Sequence, residues 1–199
     1  MTDQERCTRC GGQVFPAARF CPWCGMALAA EEHTTDSEAR PREGNDLNAW
    51  EWNNKGVALS RLGRHQEAIE CYDKALEIDP RHVNAWGNKG VALSRLGRHA
   101  EALQCYDKAL EIDPRHVNAW GNKGLNLNSV GRYQEAIMCY DKALEIDPRF
   151  VRAWVGKGVS LHHLGRYQEA IECYNEGLEI DPWNALAQKG KRMAIAKRR

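Results

Sequence analysis

Apolar and small residues recur along much of the chain at the spacing of one face of an α-helix. Within residues 83–116 the spacing i, i+4, i+7 occurs twice. The two sets are Trp86, Gly90 and Leu93, then Ala102, Tyr106 and Ala109. Gly97 lies between them, where a helix end favours a left-handed residue, and Asp113-Pro114 follows the second set. The pattern therefore predicts two helices joined by a tight turn.

This two-helix pattern repeats with a period of 34 residues, which is shown most plainly by four cysteines. They are Cys71, Cys105, Cys139 and Cys173. One hairpin cannot bury both of its apolar faces, so a fixed period of this length predicts hairpins stacked on one another. Each unit is taken to begin three residues before its recurrent tryptophan. The predicted repeats are 49–82, 83–116, 117–150 and 151–184.

Seven positions of the repeat carry nearly the same residue in every unit: Trp at 4, Gly at 8, Leu at 11, Ala at 20, Tyr at 24, Ala at 27 and Pro at 32. This pattern resembles the tetratricopeptide repeat. The leucine at position 11 departs from the family, which often has tyrosine there, but the change conserves packing. The resemblance implies an all-α fold, a right-handed superhelical solenoid of α-α hairpins.

Residues 185–199 are predicted to form a C-terminal capping helix with a basic tail. Leu186, Gly190 and Met193 match positions 4, 8 and 11 if the motif begins two residues early. We therefore expect them to pack against the last hairpin. The basic residues are interpreted as the solubilising outer face of a terminal unit. They are Lys189, Lys191, Arg192, Lys197, Arg198 and Arg199.

The N-terminal segment carries two CxxCG motifs separated by ten residues. Their cysteines are Cys7, Cys10, Cys21 and Cys24. Four thiolates at this spacing suit tetrahedral zinc, so we expect one structural Zn²⁺ that supplies folding energy to a segment with few apolar residues. The motifs resemble short prokaryotic zinc ribbons, and residues 1–27 are interpreted as one, followed by a flexible linker over 28–48. Dithiol redox chemistry at the second motif, or an iron centre, is the alternative.

Bulk composition is that of an ordinary soluble protein. The chain has 199 residues, 43% of them hydrophobic, and a formal net charge of +1. No apolar run approaches the ~20 residues that span a bilayer, and the N-terminus lacks the apolar core of a secretory signal. We expect a cytoplasmic protein with reduced thiols and no membrane partner. The four repeat cysteines are expected to serve packing.

A helical wheel places positions 2, 5, 9, 12 and 13 of the first helix of each repeat away from the core stripe. The resemblance implies that these positions face a concave, ligand-binding groove. The predicted groove residues are Trp50, Asn53, Val57, Arg61, Asn84, Val91, Arg95, Asn118, Leu125, Asn128, Arg152, Val159 and His162. Family members that clamp a peptide's C-terminal carboxylate use Lys and Asn at positions 5 and 9 of their first repeat. Asn53 and Val57 stand there, which argues against such a clamp.

The favoured function is a non-enzymatic scaffold that binds a protein or peptide. Arg61, Arg95 and Arg152 suit a partner that carries acidic groups. Periodicity alone explains the recurrent polar residues, so catalysis is not needed to account for them. The alternative is a nucleic-acid-associated adaptor that uses the zinc ribbon and the basic tail, although the sequence disfavours nucleic acid because acidic residues offset the ribbon's arginines.

Overall fold

The computed structural model describes residues 47–198, and this part of the chain consists of nine α-helices joined by short turns. The helices are α1 (Ala49–Arg61), α2 (His65–Ile78), α3 (Val83–Arg95), α4 (His99–Ile112), α5 (Val117–Ser129), α6 (Tyr133–Ile146), α7 (Val151–His163), α8 (Tyr167–Ile180) and α9 (Ala185–Arg198). Each odd-numbered helix up to α7 packs on the helix that follows it, and each hairpin packs on the next. The predicted stack of helical hairpins is confirmed over these residues.

The turn inside each hairpin depends on a glycine with positive φ. The four are Gly63, Gly97, Gly131 and Gly165, with φ between 75° and 78°. In the second hairpin the N–H of Arg98 donates to the carbonyl of Leu93 at 2.9 Å, and the N–H of Gly97 donates to Ser94 at 3.0 Å. This is a Schellman motif, which satisfies the last carbonyls of the helix and needs a left-handed residue. The predicted role of Gly97 is confirmed.

The core of each hairpin is a tyrosine ring packed against a glycine. Tyr106 is 1% exposed, and a Cβ added to Gly90 would lie 2.6 Å from its Cε1 atom. The same contact joins Tyr140 to Gly124 and Tyr174 to Gly158. Only a residue without a side chain lets the two helices approach this closely, which explains the pairing of position 8 with position 24.

Tryptophan at position 4 ties each hairpin to the one before it. The indole Nε1 atoms of Trp86, Trp120 and Trp154 each donate to the carbonyl of the proline six residues earlier, at 2.9 Å. Lysine ammonium groups lie over the same rings; Lys89, for example, is 5.6 Å from the centroid of Trp86. The ring is therefore packed on one side and polar at its edge, as half-buried tryptophans generally are.

The repeat cysteines Cys71, Cys105, Cys139 and Cys173 are buried free thiols. Burial raises the pKa of Cys105, Cys139 and Cys173 to about 11 and also raises the pKa of Cys71. A thiol with a raised pKa is a poor nucleophile at neutral pH, so these side chains act as small packing groups.

The capping helix α9 does not begin its motif two residues early, and this expectation was wrong. Ala187 at position 3 is fully buried, like Ala85, Ala119 and Ala153 at the same position. Gln188 at position 4 donates to the carbonyl of Pro182 at 2.8 Å, in place of the tryptophan of the other repeats. The 34-residue register therefore continues into α9.

The physical reason is that the preceding turn sets the start of α9. The side chain of Asn184 accepts a hydrogen bond from the N–H of Ala187 at 3.1 Å and caps the helix. Leu186 and Met193 consequently fall at positions 2 and 9, where they are 59% and 49% exposed instead of packed in the core. None of the helices described is long and apolar enough to cross a membrane.

Candidate functional site

Four depressions follow one another along the side of the stack that carries positions 9, 12 and 13. Each lies between successive first helices, α1 with α3, α3 with α5, α5 with α7, and α7 with α9, and their volumes are about 220, 270, 530 and 200 Å³. Neighbouring depressions share lining residues: Val91 and Arg95 join the first two, and Val159 and Leu186 join the last two. They form one continuous surface, called the groove below.

Nine of the predicted groove residues line these depressions. They are Val57, Arg61, Val91, Arg95, Leu125, Asn128, Arg152, Val159 and His162. Val57 and Val91 are half-buried at position 9, whereas Leu125 is 52% exposed. Positions 9, 12 and 13 of successive first helices share this surface, and its role in binding a partner stays a prediction.

Four predicted residues lie elsewhere: Trp50, Asn53, Asn84 and Asn118 line none of the four depressions. Asn53 is 6% exposed, and its Oδ1 accepts a hydrogen bond from Nδ2 of Asn88 at 3.0 Å. The Oδ1 atom of Asn84 lies 3.1 Å from the Nε2 atom of His116 in the following hairpin. Asn53 is thus held against the neighbouring helix, whereas Gly121 and Val155, at the same position of later repeats, line the third depression.

Several lining residues were not predicted, among them Leu186, Lys189 and Met193 on α9. They occupy positions 2, 5 and 9 of the capping unit. The interval from Asp181-Pro182, which is the same as in the other repeats, is the signal that identifies them. His65 and His99 at the start of the second helices also line the groove.

The groove is basic. The side chains of Arg61, Arg95, Arg152 and Lys189 line it together with histidines, and no Asp or Glu is among the described residues that line the four depressions. Nη2 of Arg152 donates to Oδ1 of Asn122 at 2.9 Å, which holds its guanidinium along the groove. Arg61 and Arg95 form no ion pair with any other residue of 47–198. These charges are available to an anionic group.

Two polar pairs close the floor of the groove between hairpins. Asn126 is 1% exposed, and its Oδ1 accepts from Oγ of Ser94 and lies beside Nδ1 of His99, both at 2.8 Å. At the next interface the residue types are exchanged, since Oγ of the fully buried Ser160 donates to Oδ1 of Asn128 at 2.7 Å. Satisfied buried pairs of this kind fix the geometry of the helices that carry them.

The histidines at the end of α7 belong to an aromatic cluster. The ring of His163 stacks on Tyr133 with centroids 4.7 Å apart, and the ring of His162 meets Tyr167 edge-on at 5.2 Å. Burial lowers the pKa of His162, and electrostatic repulsion between its charged form and the His163 and Lys197 side chains lowers it further. Its neutral form is favoured at pH 7, so Lys189 supplies the fixed positive charge at this end of the groove.

The predicted zinc ligands Cys7, Cys10, Cys21 and Cys24 lie outside the described residues, as do the predicted ribbon and nearly all of the linker. Within residues 47–198, no group of three or more His, Cys, Asp or Glu side chains is arranged to hold a metal ion.

Comparison with known proteins identifies the repeat. Models of the tetratricopeptide repeat match residues 47–115, 81–148 and 151–184. Among solved structures, YrrB, described as a TPR protein with an unusual peptide-binding site, is 24% identical with a TM-score of 0.62, over 75% of this chain and 77% of that one. No curated protein matches the chain in sequence.

Two further structures have the same fold. MamA from Desulfovibrio magneticus, residue 41 to its end, is 20% identical with a TM-score of 0.64, over 75% of this chain and 90% of that one. The TPR domain of Arabidopsis OM64 is 22% identical with a TM-score of 0.55, over 56% of this chain and 93% of that domain. At such identities the likeness extends to the fold alone.

Proposed function

The chain belongs to the tetratricopeptide repeat family, and on that premise we propose that it is a protein-interaction scaffold whose groove binds an acidic segment of a partner protein. One observation carries the proposal: four contiguous depressions contain arginine and lysine side chains and no carboxylate among their described lining residues. An extended segment that lies along the groove would contact each of the depressions in turn.

The fold supports a binding role. Repeat stacks present a long surface built from equivalent positions of successive hairpins, which suits an elongated ligand better than a compact substrate. The YrrB structure, whose description mentions a peptide-binding site, has this fold. The polar side chains that recur from hairpin to hairpin are explained by the repeat without catalysis, and the protein is proposed to be a binding protein and not an enzyme.

Charge reversal in the groove tests this proposal. We expect Arg95→Glu to weaken binding of a fluorescent glutamate-rich peptide at least about 10-fold in a polarisation assay, because a charge-assisted hydrogen bond contributes about 1.5–3 kcal/mol. Lys108→Glu is the matched control, since Lys108 lies outside the groove in an exposed pair with Glu111. Equal affinity of the two variants, or no binding by the wild type in low salt, would refute an acidic ligand.

We also propose that Cys7, Cys10, Cys21 and Cys24 bind one structural zinc ion, on the basis of their paired spacing. Elemental analysis of purified protein should give about one zinc per chain. Cys21→Ser should abolish it, whereas Cys71→Ser, which changes a buried repeat thiol, should leave the zinc content unchanged. A metal-free protein with a reducible bond between Cys21 and Cys24 would favour the redox alternative instead.

A further inference from the structure

The groove changes character between its first and second halves, and position 6 of the repeat marks the change. Asn88 and Asn122 occupy it in the first two depressions, and Gly156 and Gly190 occupy it in the last two. Position 6 therefore carries a side-chain amide in the first half and none in the second, where the amides of Asn128 and Asn184 line the third depression from other positions.

Glycine at position 6 also brings the backbone down onto the core tyrosine. A Cβ added to Gly156 would lie 2.4 Å from Cζ of Tyr140, and one added to Gly190 would lie 2.5 Å from Cζ of Tyr174. The two rings are therefore covered by glycine backbone, and no side chain projects from position 6 into either depression. The third depression, with a volume of about 530 Å³, is about twice the size of either depression in the first half.

Charge and hydrophobicity divide in the same place. Position 13 is Arg61 and then Arg95 in the first two hairpins, but Ser129 in the third. Apolar side chains line the second half, and three of them are about half exposed or more. These are Leu125 at 52%, which lies at the boundary and also lines the second depression, Leu186 at 59% and Met193 at 49%.

We propose that the groove recognises a two-part segment: an acidic stretch that lies across the first two depressions, joined directly to one or two large apolar side chains that enter the third and fourth. This inference rests on the proposed function and specifies its ligand. Arg152 lies at the boundary, lining both the second and third depressions, and Lys189 lies at the far end. The apolar side chains would supply buried area, and the acidic residues would supply placement along the groove.

Synthetic peptides of equal length distinguish this arrangement from a general preference for acid. One peptide joins a glutamate block to Leu-Trp-Leu and is made in both orders, because the direction of the bound chain is not fixed. A second has the same composition with the apolar residues dispersed, and a third replaces them with serine. We expect the better block order to bind at least about 10-fold more tightly than the dispersed and serine peptides, as burial of two large side chains predicts.

Two sets of variants locate the effect. Leu186→Gln combined with Met193→Gln removes apolar surface without changing charge and should bring the block peptide to the affinity of the dispersed one. Met138→Gln is the matched control, because Met138 is 67% exposed but lies in none of the four depressions. Circular dichroism melts check that each variant is folded.

The outcomes separate this inference from the function beneath it. If the block and dispersed peptides bind equally, or if the Leu186 and Met193 changes have no effect, the two-part ligand is wrong while an acid-binding groove remains. If none of the peptides binds, or if Arg61→Gln with Arg95→Gln leaves the binding of all of them unchanged, both are wrong.

Discussion

The charged side chains of the groove and those of the outer face of the same hairpins differ in whether they form ion pairs. On the outer face, lysine at position 7 pairs with aspartate at position 25 of the preceding hairpin, as in Lys89 to Asp73 at 2.5 Å and Lys123 to Asp107 at 2.6 Å. Arginine at position 16 pairs with glutamate at position 19, as in Arg98 to Glu101. In the groove, Arg61 and Arg95 have no such carboxylate among the residues of 47–198.

This difference separates charges that serve the fold from charges left for a partner. Each exposed pair contributes little to stability, but the repeat supplies it again at every hairpin. A surface whose cations are already matched attracts an anionic partner weakly. A surface that keeps its cations unmatched attracts it strongly and guides its approach.

The largest expected effect concerns two glycines three residues apart on α3, one packed and one not. Gly90→Ala should cost about 1–3 kcal/mol of unfolding free energy, because the added carbon would overlap the Tyr106 ring. Gly87→Ala should instead stabilise by about 0.5–1 kcal/mol, since its Cβ would meet nothing within 4 Å and alanine favours the helix. Urea denaturation measures both; a similar cost for the two would contradict this account.

The buried amide under the groove comes next. Asn126→Ala should cost about 1–2 kcal/mol, because Oγ of Ser94 and the carbonyl of His99 lose their partner inside the protein. Adding Ser94→Ala should recover part of the loss, since it removes the hydroxyl that the first change leaves without its acceptor. Thermal melts of the single and double variants measure the recovery, and its absence would show that Ser94 does not depend on the amide.

Charge reversal tests the comparison of the two faces most directly. Lys123→Glu should cost roughly 1 kcal/mol, because it places a carboxylate beside Asp107 and removes the cation 5.5 Å from the Trp120 ring. Arg95→Glu should change stability by no more than about 0.5 kcal/mol, as it breaks no ion pair. Paired denaturation curves give both numbers, and a larger loss for Arg95→Glu would place that side chain in the folding network.

The smallest expected effect is a decrease in the stability of the fold at low pH. Hydrogen bonds from Arg98 and Arg132 lower the pKa of Glu101 and Glu135, so the folded state favours their ionised forms. Their contribution is complete above the unfolded pKa of about 4.3 and is lost as the pH falls through the lower folded value. Glu101→Gln with Glu135→Gln should flatten the fall in Tm below about pH 4.5. Arg95→Gln in the groove should leave that slope unchanged.

The fold was largely predictable because the same residue types recur at the same positions in four hairpins. Glycine before the second helix, tyrosine opposite glycine and proline after the hairpin each follow from one local contact. The groove was only partly predictable. A helical wheel treats one helix alone, whereas Asn53 faces the neighbouring helix, where Asn88 bonds to it and it is buried. The predicted register of α9 was wrong because Gln188 stands where the other repeats have tryptophan. The prediction aligned Lys189-Gly190 with Lys123-Gly124 of the third repeat and did not count the residues from Pro182.

The exchanged Ser and Asn pairs have a consequence for rearranging this protein. The hairpins look interchangeable, yet moving the third ahead of the second would bring Asn128 against Ala92 and Ser94 against Ser160. The first junction would hold an amide without its hydroxyl partner, and the second would hold two hydroxyls in space that fits one hydroxyl and one amide. The hairpins therefore cannot be exchanged freely. A recombined or lengthened version must keep the residue at position 12 of one hairpin together with its partner at position 10 of the following hairpin.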